Sequence, residues 1–347
     1  MADFDVAVKT MVRARTENAV AYGLPLLNLA MDNSDSKAMG KSFKWRLQKA
    51  TLEGHAASAG PYTPIEGHRT DIWEWATLPW KYVRATDLMT MQEHDFSQGQ
   101  EWTGSFVTEK ANALLEGLRI RTSRMLWGLD GISTDGGLDI NSLRQALTHD
   151  ATYAGLGRAT TVTNPWFQSA SLDRTYTDQG TEVRISLDLF DQIGAACRRN
   201  IAKKGMSKGK QKLYHFCGEA LYLACKRELR SYITAGEGYI QRLNIGFESF
   251  EFENNEVVLC DELYDDNYKG SETTYPARWL FSIDPSTLVF SFNPLHKLGF
   301  GSRGKALYKS QNDHIGGTAT FLAVVDTFCN FAVSNPNRCC FRSNVVA

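Results

Sequence analysis

The sequence lacks a long apolar run, an excess of charge of either sign, and regularly spaced cysteines. No stretch reaches the roughly 20 apolar residues that a membrane-spanning helix needs. Residues 1–20 also lack the apolar segment of a signal peptide. These absences predict a protein that has no membrane partner and is made and kept in a cytoplasm.

The cysteines and the charge balance exclude two further classes. Seven cysteines, an odd number with no CxxC pair, favour reduced thiols over a disulfide framework or a zinc site. Lys and Arg together number 38 against 39 for Asp and Glu, so no basic field is available to grip nucleic acid. Such a balance suits a protein that encloses DNA without gripping it, and equally suits most cytosolic enzymes.

Motifs for catalysis or cofactor binding are also missing. The run GMSKGK has one residue too few between its glycines for a phosphate-binding loop, and Gln211 follows the lysine. Gly155 and Gly157 begin a dinucleotide-like fingerprint, but Thr160 stands where the third glycine belongs. The seven histidines form no HxH or HxxxH pair, and no GxSxG elbow occurs. We therefore assign no catalytic residue, metal or cofactor and predict that the chain is not an enzyme.

The most informative feature that is present lies in residues 42–83, which hold four of the eight tryptophans. SFKWRLQKA alternates apolar and polar side chains with the period of a strand, whereas DIWEWATLPWKYV carries apolar side chains on both faces. Residues 52–68 between these runs offer no tight turn. A lone two-stranded ribbon is marginal in water. Two interpretations stay open: an arm that neighbouring copies cover, or two strands of an internal sheet joined by a long surface loop.

The strongest helical pattern spans residues 104–127. Its apolar residues recur at helical spacing, and Gly128 with the turn formers after it predicts the end of the helix. The predicted buried stripe comprises Val107, Ala111, Leu114, Leu118 and Met125.

The rest of the chain predicts a mixed α+β body without internal repeats. Residues 187–200 favour a helix, and LYHFCGEALYLACKREL favours a buried strand that passes into a helix. GFESFEFENNEVVLCDEL predicts a strand, an Asn-Asn turn and a second strand, and ARWLFSID with TLVFSFNP predicts another strand pair. The C-terminal region predicts one long strand, a turn and a short basic end.

Taken in this order, the pieces resemble the major capsid proteins of tailed bacteriophages with the Hong Kong 97 type fold. The most specific part is YAGLGRATTVTNPWFQSASLD, and GFESFEFENNEVVLCDE and the NPNR turn after the long strand support it. The residues that carry the first match are Gly155, Gly157, Arg158, Asn164, Pro165, Trp166 and Phe167.

The resemblance implies an α+β, Hong Kong 97-like capsid fold built from five segments. These are an N-terminal arm (1–40), an extended β-hairpin loop (41–83), a peripheral domain (84–186) with the spine helix 104–127, an axial domain (187–300), and a C-terminal return to the peripheral domain (301–347). The implied function is a major capsid protein whose hexamers and pentamers form an icosahedral shell around double-stranded DNA. The implied location is the virion, after assembly in the host cytoplasm.

The implied partners are other copies of the chain, a separate scaffolding protein, a portal protein and a decoration protein. The packaged DNA is enclosed without sequence-specific binding. We predict subunit contacts at Trp45, Tyr62, Trp73 and Trp75, because large rigid aromatics dominate interface energetics. For each of them, a core role at the base of the loop is the alternative.

Two other functions stay open. An encapsulin-like compartment would keep the fold and enclose a cargo enzyme. A soluble carbohydrate-active enzyme would use exposed tryptophans as sugar platforms.

Overall fold

A computed structural model of the chain describes residues 24–32, 34–35, 42–48, 73–90, 103–129, 137–149, 152–158, 167–170, 181–202, 212–233, 249–252, 255–264, 276–292, 308–315 and 318–347. The helices in these ranges are α1 (Pro25–Asp32), α2 (Thr103–Trp127), α3 (Leu143–Leu147), α4 (Leu187–Ala202) and α5 (Glu219–Ile233). The strands are β1 (Ser34–Asp35), β2 (Ser42–Gln48), β3 (Trp73–Pro79), β4 (Lys81–Thr90), β5 (Val183–Arg184), β6 (Tyr214–Cys217), β7 (Ser249–Phe252), β8 (Asn255–Leu259), β9 (Leu280–Ile283), β10 (Leu288–Phe292), β11 (Tyr308–Ile315), β12 (Thr318–Val333), β13 (Cys340–Arg342) and β14 (Val345–Val346).

The first sheet is organised around the long strand β12. Its sequence, TATFLAVVDTFCNFAV, is rich in the β-branched and aromatic residues that favour strands. β4 pairs with it in antiparallel register from Lys81 opposite Cys329 to Thr90 opposite Thr320. β11 and β10 also pair with β12 in antiparallel fashion, and β1 extends the sheet by pairing in parallel with β10.

The second sheet has the order β13-β9-β6-β8-β7, and both of its faces are covered. Phe216 and Phe281 point into the main core cluster, where the ring of Trp127 lies 5.5 Å and 5.2 Å from theirs. The neighbouring residues Cys217 and Leu280 belong to a second cluster, formed with α4 and α5. This alternation follows the two-residue period of a strand. The end of α2 and the pair of helices thus enclose the sheet.

The predicted sequence of elements in this second part is present. A buried strand passes into a helix as β6 and α5, and β7 and β8 form an antiparallel pair in which Phe252 lies opposite Asn255. Asn254 of the expected Asn-Asn turn lies outside the described residues, and Asn255 is the first residue of β8. The C-terminal run forms β12, followed by a short 3₁₀ turn at Pro336–Arg338.

The helix predicted over 104–127 begins at Thr103 and ends at Trp127. Gly128 then adopts a positive φ of 81°, and its N–H returns to the carbonyl of Arg124. The buried stripe differs in part from the prediction. Leu115 is buried and Leu114 is only half-buried, while Leu118 and Met125 are buried as predicted. The side chains of Val107 and Ala111 lie outside the described residues.

The expected pairing of ARWLFSID with TLVFSFNP is wrong. β9 pairs with β6 and β13 in the second sheet, whereas β10 pairs with β12 and β1 in the first. The cause is local. Asp284 caps a 3₁₀ turn at Pro285–Thr287, which carries the chain from one sheet to the other instead of folding it back as a hairpin.

The domain boundary predicted at residue 300 stays a prediction. β10, which precedes that boundary, lies in the first sheet. β13, which follows it, lies in the second. Among the described residues, no helix combines the length and the apolar character needed to span a membrane.

Candidate functional site

The tryptophan-rich segment forms a two-stranded antiparallel ribbon from β2 and β3. Its register places Phe43 opposite Leu78 and Arg46 opposite Trp75. One face, with Phe43, Leu47, Ala76 and Leu78, is buried in the main core cluster. The inner face of the ribbon therefore packs against its own chain.

The other face of the ribbon carries exposed aromatic rings beside cations. The side chains of Trp73 and Trp75 are 40% and 55% exposed. The guanidinium carbon of Arg46 lies 5.1 Å and 5.5 Å from the centres of those two rings, and Lys44 is exposed on the same face. Lys44, Arg46, Trp73 and Trp75 make up what is called here the outer ribbon face. A patch of large rings set among cations on a surface marks a candidate interaction site.

Trp45 has different surroundings from the other two tryptophans. It is half-buried, its ring lies 5.1 Å from that of Phe43, and its indole N–H donates to the carbonyl of Ser334 at 3.3 Å. Trp45 thus anchors the ribbon within the chain, and the subunit contact at this position stays a prediction. Tyr62, the fourth predicted contact, lies outside the described residues.

The segment that carries the strongest sequence resemblance forms a tight corner. Ala154 and Gly155 both have positive φ, 53° and 78°, between the bridged residues Tyr153 and Leu156. Gly155 is exposed and Gly157 is half-buried. Arg158 is fully buried, where its guanidinium donates to the carbonyls of Gln145 and Ala146 and lies over the Tyr153 ring.

This corner also joins the ribbon to the first sheet. The Tyr153 hydroxyl accepts from the backbone N–H of Val333 in β12, and the carbonyl of Ala154 accepts from Thr77 in β3, both at 2.9 Å. Phe167 is buried, and its ring is stacked 5.9 Å from that of Tyr153. Asn164, Pro165 and Trp166 lie outside the described residues. The described part of the motif therefore connects the ribbon, α3 and the first sheet.

The cysteines are poor nucleophiles in this structure because all seven are buried. Burial raises the pKa of Cys225 to about 12 and that of Cys339 to about 11, so both thiols stay protonated at neutral pH. Burial also raises the pKa values of Cys197, Cys217 and Cys260.

Of the acidic residues after β8, Glu262 is hydrogen-bonded to helix α2. Both the Ser123 hydroxyl and the Trp127 indole N–H donate to one oxygen of Glu262, at 2.8 Å and 2.7 Å. Burial raises the pKa of this carboxyl group, and the two donors oppose that shift. Glu262 ties the end of α2 to the second sheet. Within the described ranges, no group of three or more His, Cys, Asp or Glu side chains is arranged to hold a metal ion.

Two features of the surface were not singled out by sequence reasoning. Arg46 lies between the two exposed tryptophans, and the alternation in SFKWRLQ already places it on the outward face. Helix α2 carries an exposed stripe of Ala113, Gly117 and Ile120, with Ile120 45% exposed. Their spacing of three and four residues is visible in the sequence, but the pattern alone does not tell which stripe faces the core.

No protein-family model and no curated protein sequence matches the chain. Solved structures do match over nearly its whole length. A chain of the cyanophage A-1(L) capsid asymmetric unit aligns with a TM-score of 0.64 at 12% identity, covering 94% of this chain and 93% of that one. This chain has a capsid-protein fold.

Two further matches extend the comparison. The capsid protein of a native GTA particle aligns with a TM-score of 0.52 at 10% identity, covering 94% and 90% of the two chains. The holo-SrpI encapsulin complex of Synechococcus elongatus PCC 7942 aligns with a TM-score of 0.50 at 8% identity, covering 92% and 86%. The predicted resemblance to phage capsid proteins is confirmed at the level of the capsid fold, and the chain is a mixture of helices and sheets as predicted. The finer division into arm, loop and domains stays a prediction.

Proposed function

We propose that this chain is the major capsid protein of a tailed bacteriophage. Copies of it assemble into hexamers and pentamers that close an icosahedral shell around double-stranded DNA. The observation that carries the proposal is the capsid fold, which extends over 94% of the chain in the alignment with the A-1(L) capsid protein.

Within this proposal the segments take the roles that the resemblance implied. Residues 1–40 form the N-terminal arm, 41–83 the extended loop, and α2 the spine helix of the peripheral domain. Residues 187–300, which include α4, α5 and most of the second sheet, form the axial domain, and 301–347 return to the peripheral domain. The compact core of Phe190, Ile193, Tyr222 and Phe250 supports treating the axial domain as one unit.

Subunit contacts are proposed at two surfaces that differ in shape and place. The outer ribbon face presents Trp73 and Trp75, and the exposed stripe of α2 presents Ala113, Gly117 and Ile120. Apart from the backbone of α2 and the two neighbouring residues, no described heavy atom lies within 4 Å of the position that a Cβ on Gly117 would occupy, which leaves room for a flat ring. Contacts between two different surfaces are heterologous, and such contacts form rings where the rotation between copies closes. The two surfaces therefore support a ring-forming subunit.

The remaining partners follow from the same proposal. A separate scaffolding protein, a portal protein and a decoration protein complete the particle, which is assembled in the host cytoplasm and becomes the virion. The net charge of −1 supports a wall that encloses DNA without holding it.

One double variant and one control distinguish a loss of assembly from a loss of folding. Replacing both Trp73 and Trp75 with Ser should leave the thermal unfolding midpoint nearly unchanged, because both rings are on the exposed face. The same variant should fail to form megadalton particles in size exclusion and electron microscopy, with the scaffolding partner present. The matched control replaces Tyr264, which is 55% exposed and lies off the ribbon, with Ser. A wild-type chain that stays monomeric even with its scaffolding partner would overturn the proposal.

An encapsulin-like compartment is the second candidate, because the SrpI encapsulin shares the fold at a TM-score of 0.50. The contents of purified particles decide between the two. Double-stranded DNA supports the phage capsid, and a cargo protein without DNA supports the compartment.

A further inference from the structure

The chain passes between its two sheets at two neighbouring turns. Residues 284–287 lead from β9 in the second sheet to β10 in the first, and residues 334–339 lead from β12 in the first sheet to β13 in the second. These segments are called here the first and second crossover turns. Because both turns join the same two sheets, their mutual contacts affect how the sheets are held together.

Direct hydrogen bonds fasten the two crossover turns to each other. The carbonyl of Thr287 accepts from the backbone N–H of Ser334 at 2.8 Å and from its hydroxyl at 3.0 Å. The hydroxyl of Thr287 donates to the carbonyl of Asp284 and lies 3.2 Å from the sulfur of Cys339. Thr287 therefore binds both ends of the second turn.

An ion pair also connects the two crossover turns. One Arg338 nitrogen lies 2.5 Å from Oδ2 of Asp284, and the two side chains are only 22% and 6% exposed. The other carboxylate oxygen, Oδ1, accepts from the backbone N–H of Ser286 at 3.0 Å and from its hydroxyl at 2.7 Å. Removing one member of a pair with so little exposure leaves the other charge in a poorly hydrated site.

Both strands of the ribbon are linked to residues in or next to the second crossover turn. From β2, the Trp45 indole N–H donates to the carbonyl of Ser334, which belongs to the second crossover turn. From β3, Thr77 donates to Ala154, and the adjacent Tyr153 hydroxyl binds Val333, the residue before Ser334. Besides its packing in the main core cluster, the ribbon is therefore held at residues 333 and 334. Ser334 is bound by Thr287 of the first crossover turn, and Val333 pairs with Leu288 in β10.

We propose that the Asp284–Arg338 pair is a latch: it couples the position of the ribbon to the contact between the two crossover turns. Opening the pair loosens the second crossover turn and, through Ser334, the base of the ribbon. The pairing of β6 with β8 and β9 should persist when this happens, because it involves no residue of the two crossover turns. The latch is a property of the single chain and stands whether or not the proposed function does.

Hydrogen exchange on the unassembled full-length subunit tests the latch. Arg338→Gln should speed amide exchange in residues 42–48 and 73–78 by about tenfold, with β6 unchanged. Asp284→Asn should do the same, because its amide oxygen still caps Ser286 while the charge is lost. The matched control is Arg278→Gln, since Arg278 is exposed in the 3₁₀ turn that precedes β9 and donates to Oδ1 of Asn344 at 3.4 Å.

A double-mutant comparison separates the latch from a general loss of stability. Trp45→Phe removes the indole N–H and should speed ribbon exchange by itself, and adding Arg338→Gln should give little further change if both act through Ser334. Arg338→Lys keeps the charge and should exchange at an intermediate rate, and it replaces Arg338→Gln in the comparison if the latter does not fold. Ribbon exchange equal to that of the Arg278→Gln control, or fully additive effects with Trp45→Phe, would overturn the latch.

Discussion

His215 is fully buried in the middle of the second sheet. Its Nδ1 lies 2.7 Å from the hydroxyl of Ser282, and its ring centre lies 4.6 Å from that of Phe190. Burial lowers its pKa from 6.5 to about 3, because the surrounding apolar groups cannot hydrate an imidazolium. The folded chain therefore holds this histidine neutral over the whole physiological range.

This single residue predicts a pH dependence of stability. Between about pH 6.5 and pH 3 the unfolded chain binds a proton at His215 and the folded chain does not, so the free energy of unfolding falls as the pH is lowered. Above pH 6.5 the contribution is flat. The full loss is on the order of a few kcal/mol.

The measurement is chemical denaturation at a series of pH values. His215→Asn should reduce stability at neutral pH and make the decline below pH 6.5 shallower. Phe190→Leu is the control, since it removes packing against the same ring without changing a titratable group. A variant of His215 that keeps the wild-type slope would assign the acid sensitivity to other residues.

At the scale of elements, the long helix shows what a periodic pattern can and cannot predict. The position of α2 and its end at Gly128 were predicted because a helical period and a glycine stop are local signals. The exact buried stripe was not, because Leu114 and Leu115 are adjacent and equally apolar. Tertiary packing decides between them and buries Leu115.

That difference leads to a prediction about two alanine variants in α2. Leu118 is fully surrounded by the main core cluster, so Leu118→Ala should lower the free energy of unfolding by roughly 2 to 5 kcal/mol. Leu114 is only partly buried, so Leu114→Ala should cost clearly less. Equal losses in thermal or chemical denaturation would contradict this order.

The strands β9 and β10 mark the limit of local reasoning about sheets. Two apolar runs separated by Asp284, Pro285 and Ser286 have the appearance of a hairpin in sequence. Their partners, β6 and β12, lie far away along the chain. Only the long-range pairing tells that the short turn joins two sheets instead of two neighbouring strands. The Asp284–Arg338 pair was missed for the same reason, since its members come from turns 54 positions apart, 338 minus 284.

At the scale of the whole molecule, the sequence predicted the capsid fold from a combination of motifs, each of which is weak alone. The corner around Arg158 shows how one such motif supports the fold: Arg158 donates to the carbonyls of Gln145 and Ala146 in α3, and the corner also accepts hydrogen bonds from Val333 and Thr77. The outer ribbon face was half predicted. The strand alternation predicts that Trp73 and Trp75 share a face. Only the folded structure shows that Trp45 is hydrogen-bonded to Ser334.

Deleting residues 52–68 should leave a soluble, folded subunit that fails to close shells. Residues 49–51 and 69–72 remain to connect β2 to β3, and shortening a loop changes its closure entropy only slightly. A variant in which a Gly/Ser linker of equal length replaces 52–68 is the control for loop length. Circular dichroism reports folding, and electron microscopy reports shells. Loss of folding in both variants would favour the internal-sheet interpretation of this segment.

Because the chain passes between the two sheets twice, the order of synthesis limits when each sheet can be completed. β12 is the central strand of the first sheet, β13 is an edge of the second, and β14 pairs with β5. All three lie in residues 318–346, after every strand with which they pair. While a ribosome is still translating the chain, neither sheet can be completed, even though domains generally fold from the N-terminus as they emerge. The hydrogen bond from the Trp45 indole to the Ser334 carbonyl can therefore form only near the end of translation.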